Sequence, residues 1–227
     1  MLKKNNTVHL DGVLEAFQVL KESEKGSLAW ASVVTLHPKP GMPENTPPAD
    51  RYNRIHHEVR VIAHKGGADG LRSFADGLQC ASEAGEAFPC SVDGYLFSDG
   101  NESYVVCDAE DLRRIDFVKT NGNNRVNISG EVVSTSFTDE TARVVIKTGE
   151  GEIASFISRR QNQAAWDMVV DGDLSKGDML SISGPLHSVR QTSDGKSHVR
   201  TCMVSPHVMQ KQKVQRRTAK RGGPTLG

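Results

Sequence analysis

Apolar and polar residues alternate along two stretches that begin almost alike. In Asn6-Thr7-Val8-His9-Leu10-Asp11-Gly12-Val13-Leu14 and Asn124-Arg125-Val126-Asn127-Ile128-Ser129-Gly130-Glu131-Val132, an Asn, a Val, an aliphatic, a Gly and a second aliphatic recur at an offset of 118. The run Val126, Ile128, Gly130, Val132 has the period of two that marks a half-buried strand, so each copy reads as the opening strand of a domain. A second correspondence, at an offset of 90, links Cys90-Ser91-Val92-Asp93-Gly94-Tyr95-Leu96 with Leu180-Ser181-Ile182-Ser183-Gly184-Pro185-Leu186. Both segments run into Asp-Gly turns, Ser98-Asp99-Gly100-Asn101 and Ser193-Asp194-Gly195-Lys196, which signal hairpins between apolar-rich strands. The two offsets leave 28 more residues inside the first copy. The Pro-rich stretch from His37 to Pro48 reads as an inserted loop that accounts for much of them.

The remaining pattern supplies the same elements twice. In the second copy, strands over 124–137, 143–147 and 153–160 precede a short helix over 161–170 and a closing hairpin; in the first, strands near 6–19, 27–36 and 55–64 precede a Gly/Ala-rich helix or loop near 68–87 and a hairpin over 90–107. Three strands, a helix and two strands is the order of an OB-fold, a five-stranded Greek-key barrel, and a Gly in the first strand suits a strand bending around a small barrel. The expected architecture is all-β: a first OB-fold over 1–115 with its insertion near 37–53, a second over 121–209, and a disordered basic tail over 210–227.

Charge changes the picture, because its sum hides a partition. The 227 residues carry 28 Lys+Arg and 28 Asp+Glu, which argues against a nucleic-acid partner at first sight. Residues 1–115 hold 12 basic and 17 acidic residues, however, and residues 116–227 hold 16 and 11. Lys211, Lys213, Arg216, Arg217, Lys220 and Arg221 lie in a C-terminal tail without acids, and without them the second half would be slightly acidic. No run approaches the ~20 apolar residues of a membrane helix, and Met1-Leu2-Lys3-Lys4-Asn5-Asn6 lacks the apolar region of a secretory signal, so a cytoplasmic protein is expected. Cys80, Cys90, Cys107 and Cys202 form no CxxC pair and read as four isolated buried thiols.

The second copy resembles the bacterial single-stranded-DNA-binding protein family. The resemblance spans about 124–209 and rests on the opening segment 124–132, on Trp166-Asp167-Met168-Val169-Val170, and on the run from Leu174-Ser175-Lys176-Gly177-Asp178 to Gly184-Pro185-Leu186 before the hairpin. Residues 5–113 share it only through the internal repeat. The resemblance implies binding of single-stranded DNA in replication, recombination or repair; no Ser/His/Asp grouping, phosphate-cradling Gly loop or paired-carboxylate motif stands out, so neither catalysis nor a cofactor is expected. It also implies a homodimer, since two-barrel members present four barrels that way. The family's acidic tip, which recruits replication and repair proteins, has no counterpart in Thr218-Ala219-Lys220-Arg221-Gly222-Gly223-Pro224-Thr225-Leu226-Gly227.

Sequence-tolerant binding needs aromatic faces for bases and cations for phosphates, and strand parity selects candidates. If Ile153 and Ile157 point inward, Phe156 and Arg160 point out; Val144 and Ile146 inward leave Arg143 and Lys147 outward, with Arg159 beside them. A core role for Phe156 is the competing reading. Trp166 either stacks on a base, as in the family it resembles, or caps the barrel. In the first copy His56, Glu58, Arg60, Ile62 and His64 face outward, Trp30 shares parity with Val34 and Leu36 and favours the core, and Tyr52, Arg54 and Arg51 follow the insertion where they could close over a strand. The first barrel therefore reads as the weaker binder, suited to assembly. The tail cations are expected to contact phosphates and steepen the salt dependence. His56-His57 with His64 points in opposite directions along a strand and does not read as a metal site. An OB-fold scaffold for replication or recombination proteins, or an RNA-binding OB protein, would fit the same elements.

Overall fold

The opening strands bury the residues that their alternation selects. In the computed structural model, which describes residues 6–39, 41–43, 45–99, 102–118, 123–193, 196–204 and 206–212, β1 (Asn6–Ser23) buries Val8, Leu10, Gly12 and Leu14, and β7 (Asn124–Phe137) buries Val126, Ile128, Gly130 and Val132. Each strand bends at its glycine because another backbone passes too close for a side chain. A Cβ on Gly12 would lie 2.5 Å from the Val34 carbonyl oxygen, and one on Gly130 would lie 2.2 Å from that of Lys147. Just beyond each glycine the ladder is irregular, between Leu14 and Ala16 and between Val132 and Ser134. Such a break lets one strand serve two sides of a barrel.

The first barrel closes through β2 (Gly26–Pro38), the one-turn α1 (Pro48–Arg51), β3 (Tyr52–His64), α2 (Ala68–Ala84), β4 (Pro89–Ser98) and β5 (Ser103–Asp108). β1 pairs with β2, β2 with β3, β3 with β5 in parallel, β5 with β4, and β4 returns to β1. The second repeats the circuit through β8 (Thr141–Thr148), β9 (Gly151–Ser158), α3 (Gln163–Val170), β10 (Met179–Gly184), β11 (Leu186–Ser193) and β12 (Lys196–Val204). Where β4 runs unbroken, its counterpart is divided into β10 and β11 at Pro185, a residue without a backbone N–H to donate. The chain is all-β, built as two tandem OB-folds.

Two features extend the repeat beyond the sequence pattern. Asn6 brackets Leu96, donating from Nδ2 to its carbonyl at 2.6 Å and accepting its N–H on Oδ1 at 3.0 Å; Asn124 brackets Leu186 in the same way at 2.8 Å in both directions. The offsets of 118 and 90 are thus joined by one hydrogen-bond motif. A short extra strand also follows each barrel: β6 (Leu112–Arg114), after a single 3-10 turn, pairs Val92 with Leu112, and β13 (Val208–Lys211) pairs Ile182 with Met209. Gln210 and Lys211, expected in the tail, therefore belong to a ladder. Lys213, Arg216, Arg217, Lys220 and Arg221 lie outside the described residues.

The barrels join through β1 and β7, which pair antiparallel from Asn6↔Ile128 to Leu10↔Asn124 with Val8↔Val126 at the centre. Because Val126 is the repeat counterpart of Val8, this ladder maps onto itself when the copies are exchanged, as across a two-fold dimer interface. β6, β4, β1, β7, β10 and β13 consequently form one continuous antiparallel sheet. The buried residues of both barrels meet beneath it in one core.

Candidate nucleic-acid interface

On the second barrel the phase of β9 is set by Ile153, Ser155 and Ile157, which are buried, so Phe156 lies on the outer face. Arg143 stands directly across from Phe156 in the β8–β9 ladder, and its guanidinium lies 6.0 Å from the ring centroid. Lys147 shares this face but sits between Glu131 and Glu152 on the flanking strands, which offset its charge. Arg160 approaches Glu140 at 3.9 Å with both side chains at least 80 % exposed, a pair of little energetic weight. Trp166 takes the second of its two expected roles. It is buried on α3 against the barrel, its ring is covered by the Arg159 guanidinium 4.6 Å away, and its indole N–H has no acceptor among the described residues. Asn162 caps this helix by accepting the Ala165 N–H and ties it to the Pro206 carbonyl.

The first barrel differs from its sequence reading. Ala29, Ala31 and Val33 are the inward residues of β2, which puts Trp30 on the outer face and overturns its core assignment. Small residues fill the tight interior of the bend, so the larger aliphatics at even positions gave a misleading phase. Trp30 lies across from Arg60 on β3. The Arg60 guanidinium is in turn 5.3 Å from the Tyr104 ring, and Tyr104 packs against Phe97 at 5.4 Å. Trp30, Arg60, Tyr104 and Phe97 form a row over β2, β3, β5 and β4. Tyr52 and Arg54 lie farther along the outer side of β3, where Arg54 is ion-paired with Glu15, and Arg51 donates to the Thr46 carbonyl and braces the insertion.

The registers make the two faces equivalent. Arg60 lies beside Val106 and Phe156 beside Val204 in the parallel pairings, each next to an inward position of its own strand, Val59 paired with Val105 and Ser155 paired with Met203. Arg60 therefore corresponds to Phe156, and Trp30 to Arg143. Each barrel carries one aromatic ring and one guanidinium across the same two strands, transposed between them. Comparison of β3 with β9 alone misses this, and so makes the first barrel look deficient. Phe97 and Tyr104 were missed as well, although alternation about the buried Cys90, Val92 and Leu96, and about Val105 and Cys107, would have turned both outward. The two barrels touch where the Ser98 N–H donates to the Glu150 carbonyl at 3.0 Å, beside Gly151, whose Cβ would clash with the Ser98 oxygen.

The other candidate chemistry resolves simply. Cys90 and Cys107 are buried, and burial pushes both thiols up to about 12. Cys80 is exposed on α2, contrary to the expectation of a buried thiol, because its position faces away from the Leu71 and Ala81 side of the helix. His57 points inward and His56 and His64 outward, and among the described residues no group of three His, Cys, Asp or Glu side chains is placed to hold a metal ion. No helix among them is long and apolar enough to cross a membrane.

No protein-family model matches this chain, and no curated protein does. Solved structures do. The wild-type single-stranded DNA binding protein from Thermus aquaticus superposes with a TM-score of 0.63 at 17 % identity, covering 98 % of this chain and 96 % of that one. A deletion mutant of the same protein gives 0.64 at 17 % identity over 94 % and 97 %. At such identity the likeness is one of fold, and it extends over both barrels.

Proposed function

We propose that this chain is a non-catalytic, sequence-tolerant single-stranded-DNA-binding protein serving replication, recombination or repair. The observation that carries this reading is the ring-and-guanidinium pair found at the same register on both barrels, Trp30 with Arg60 and Arg143 with Phe156. A ring stacks on any base and a neighbouring guanidinium meets the adjoining phosphate, so the pair binds without reading sequence. Tyr104 and Phe97 lengthen the first face. Arg159, Arg160, Tyr52 and Arg54 lie at the margins, and the cations of the C-terminal tail add phosphate contacts. The Thermus protein that shares the two-barrel fold is named for the same ligand. Division into units 1–115 and 121–209, a cytoplasmic location and assembly as a homodimer belong to the same proposal.

Fluorescence anisotropy of labelled oligo-dT tests it, with the intrinsic fluorescence of Trp30 as a second signal. Binding that weakens with salt, quenches Trp30 and is lost in Trp30→Ala/Phe156→Ala is the expected result. Absence of binding at low salt would sink the reading, and tighter binding of a matched RNA would move it to the other nucleic acid.

A further inference from the structure

Besides the β1–β7 ladder and the Ser98–Glu150 bond, the two barrels meet where β11 lies against β2 and β3. His57 is fully buried there, with Nε2 2.8 Å from Thr35 Oγ1, Asn124 Nδ2 3.5 Å from the same nitrogen, and Ser188 Oγ 3.5 Å from Nδ1. Thr35 belongs to the first barrel and Asn124 and Ser188 to the second. His37 on β2 and His187 on β11 face each other edge-to-face at 5.4 Å. His207, ahead of β13, is close enough to act electrostatically on His37. On the outer side of β3, His56 is 3.4 Å from Glu15, which also pairs with Arg54. Among the described residues no carboxylate bonds to His37, His57 or His187, and the charges that act on them there are those of other histidines. The counterpart of Ser188 in the repeat is Ser98, which reaches the other barrel through its backbone bond to Glu150.

We propose that the contact of β11 with β2 and β3 is an acid-sensitive latch: protonation of its histidines opens this junction while the β1–β7 ladder keeps the barrels joined. Burial, with the charges of His187, His56 and His37, holds His57 down at about 3 from an ordinary 6.5, and burial lowers His37 and His187 as well. The open form takes up protons that the closed form refuses. Opening through His57 alone grows about tenfold for each pH unit below about 6.

Hydrogen exchange of the full chain without DNA, corrected for intrinsic rates, reads this directly. Once Thr35 and His57 lose their cover from β11, the β2–β3 ladder beneath frays, so between pH 7 and 4.5 the amides of Val33–Leu36 and His56–Val59 lose protection along that slope, while those of Asn6–Leu10 keep theirs. His57→Gln, which retains an amide for Thr35 and Asn124, flattens the slope; His37→Asn/His187→Asn, at half-buried positions, does so even if the first variant folds poorly. Unchanged protection down to pH 4.5, an equal loss in the β1–β7 ladder, or an unaltered slope in both variants overturns the latch.

Discussion

At single residues the decisive feature is which face of a strand a side chain takes. Trp30 and Phe156 stand outward beside a guanidinium, whereas Trp166 is covered by Arg159. Trp30→Ala and Phe156→Ala should each weaken oligo-dT binding by about 1–3 kcal/mol, the range for a stacked base, as measured by anisotropy titration at fixed salt. Lys147→Ala should have a smaller effect than Arg143→Ala in the same titration, since Glu131 and Glu152 flank the lysine. His9 illustrates a charge that breaks the repeat. Burial draws its pKa down, but the hydrogen bond to Asp93 at 2.6 Å and the charges of Asp11 and Asp93 outweigh this and hold it above 6.5. Its proton therefore contributes stability that is complete below 6.5 and is lost as pH rises through the raised value. In the second copy Asn127 occupies the equivalent place. Urea unfolding should accordingly show a larger deficit for His9→Asn at pH 5.5 than at pH 8.5, and equal deficits would refute the assignment.

Among elements, the opening strand of each barrel is specified by two residues that do different work. Gly12 and Gly130 let the strand turn beneath a neighbouring carbonyl, and Asn6 and Asn124 fasten its start to the middle of the returning strand. Gly130→Ala forces a Cβ to within 2.2 Å of backbone at the Lys147 oxygen. Relief requires the β7–β8 ladder to shift, and a loss of about 1–3 kcal/mol in urea denaturation is expected. Asn6→Ala leaves the Leu96 N–H and carbonyl without their partner in a buried setting, at about 1–3 kcal/mol for each group; a variant as stable as the parent would show that water replaces the bracket. The alternation made these strands legible from residue types alone. The extra strands β6 and β13 were not legible, because three or four residues are too few for a period to show and their pairing depends on an exposed edge of β4 or β10.

Over the whole molecule, two copies of one barrel are related by a ladder that is symmetric about Val8 and Val126, but their surroundings are not symmetric. Away from the β1–β7 ladder, one contact between them includes a backbone bond from Ser98 to Glu150, and another is lined with histidines. The balance of charge is also unequal, and the tail after Gln212 carries five Lys and Arg residues. Each phosphate neutralised on a single strand contributes about −0.7 to the slope of log K against log salt. Truncation after Gln212 should then flatten that slope by up to about 3.5, and a slope equal to that of the full chain would exclude the tail from the interface.

The sequence by itself determined the repeat, the all-β class, the order of elements and the outward position of Phe156, Arg143 and Arg60, because these follow from local alternation and from residue types that recur at fixed offsets. Only the tertiary structure decided that Trp30 faces out, that Tyr104 and Phe97 join Arg60, that Trp166 is covered, and that His57 is enclosed between two barrels. The physical reason is the same in each case. Which neighbour a side chain meets is fixed by strand register and barrel closure, pairings between residues far apart in the chain that the period of any one strand does not encode.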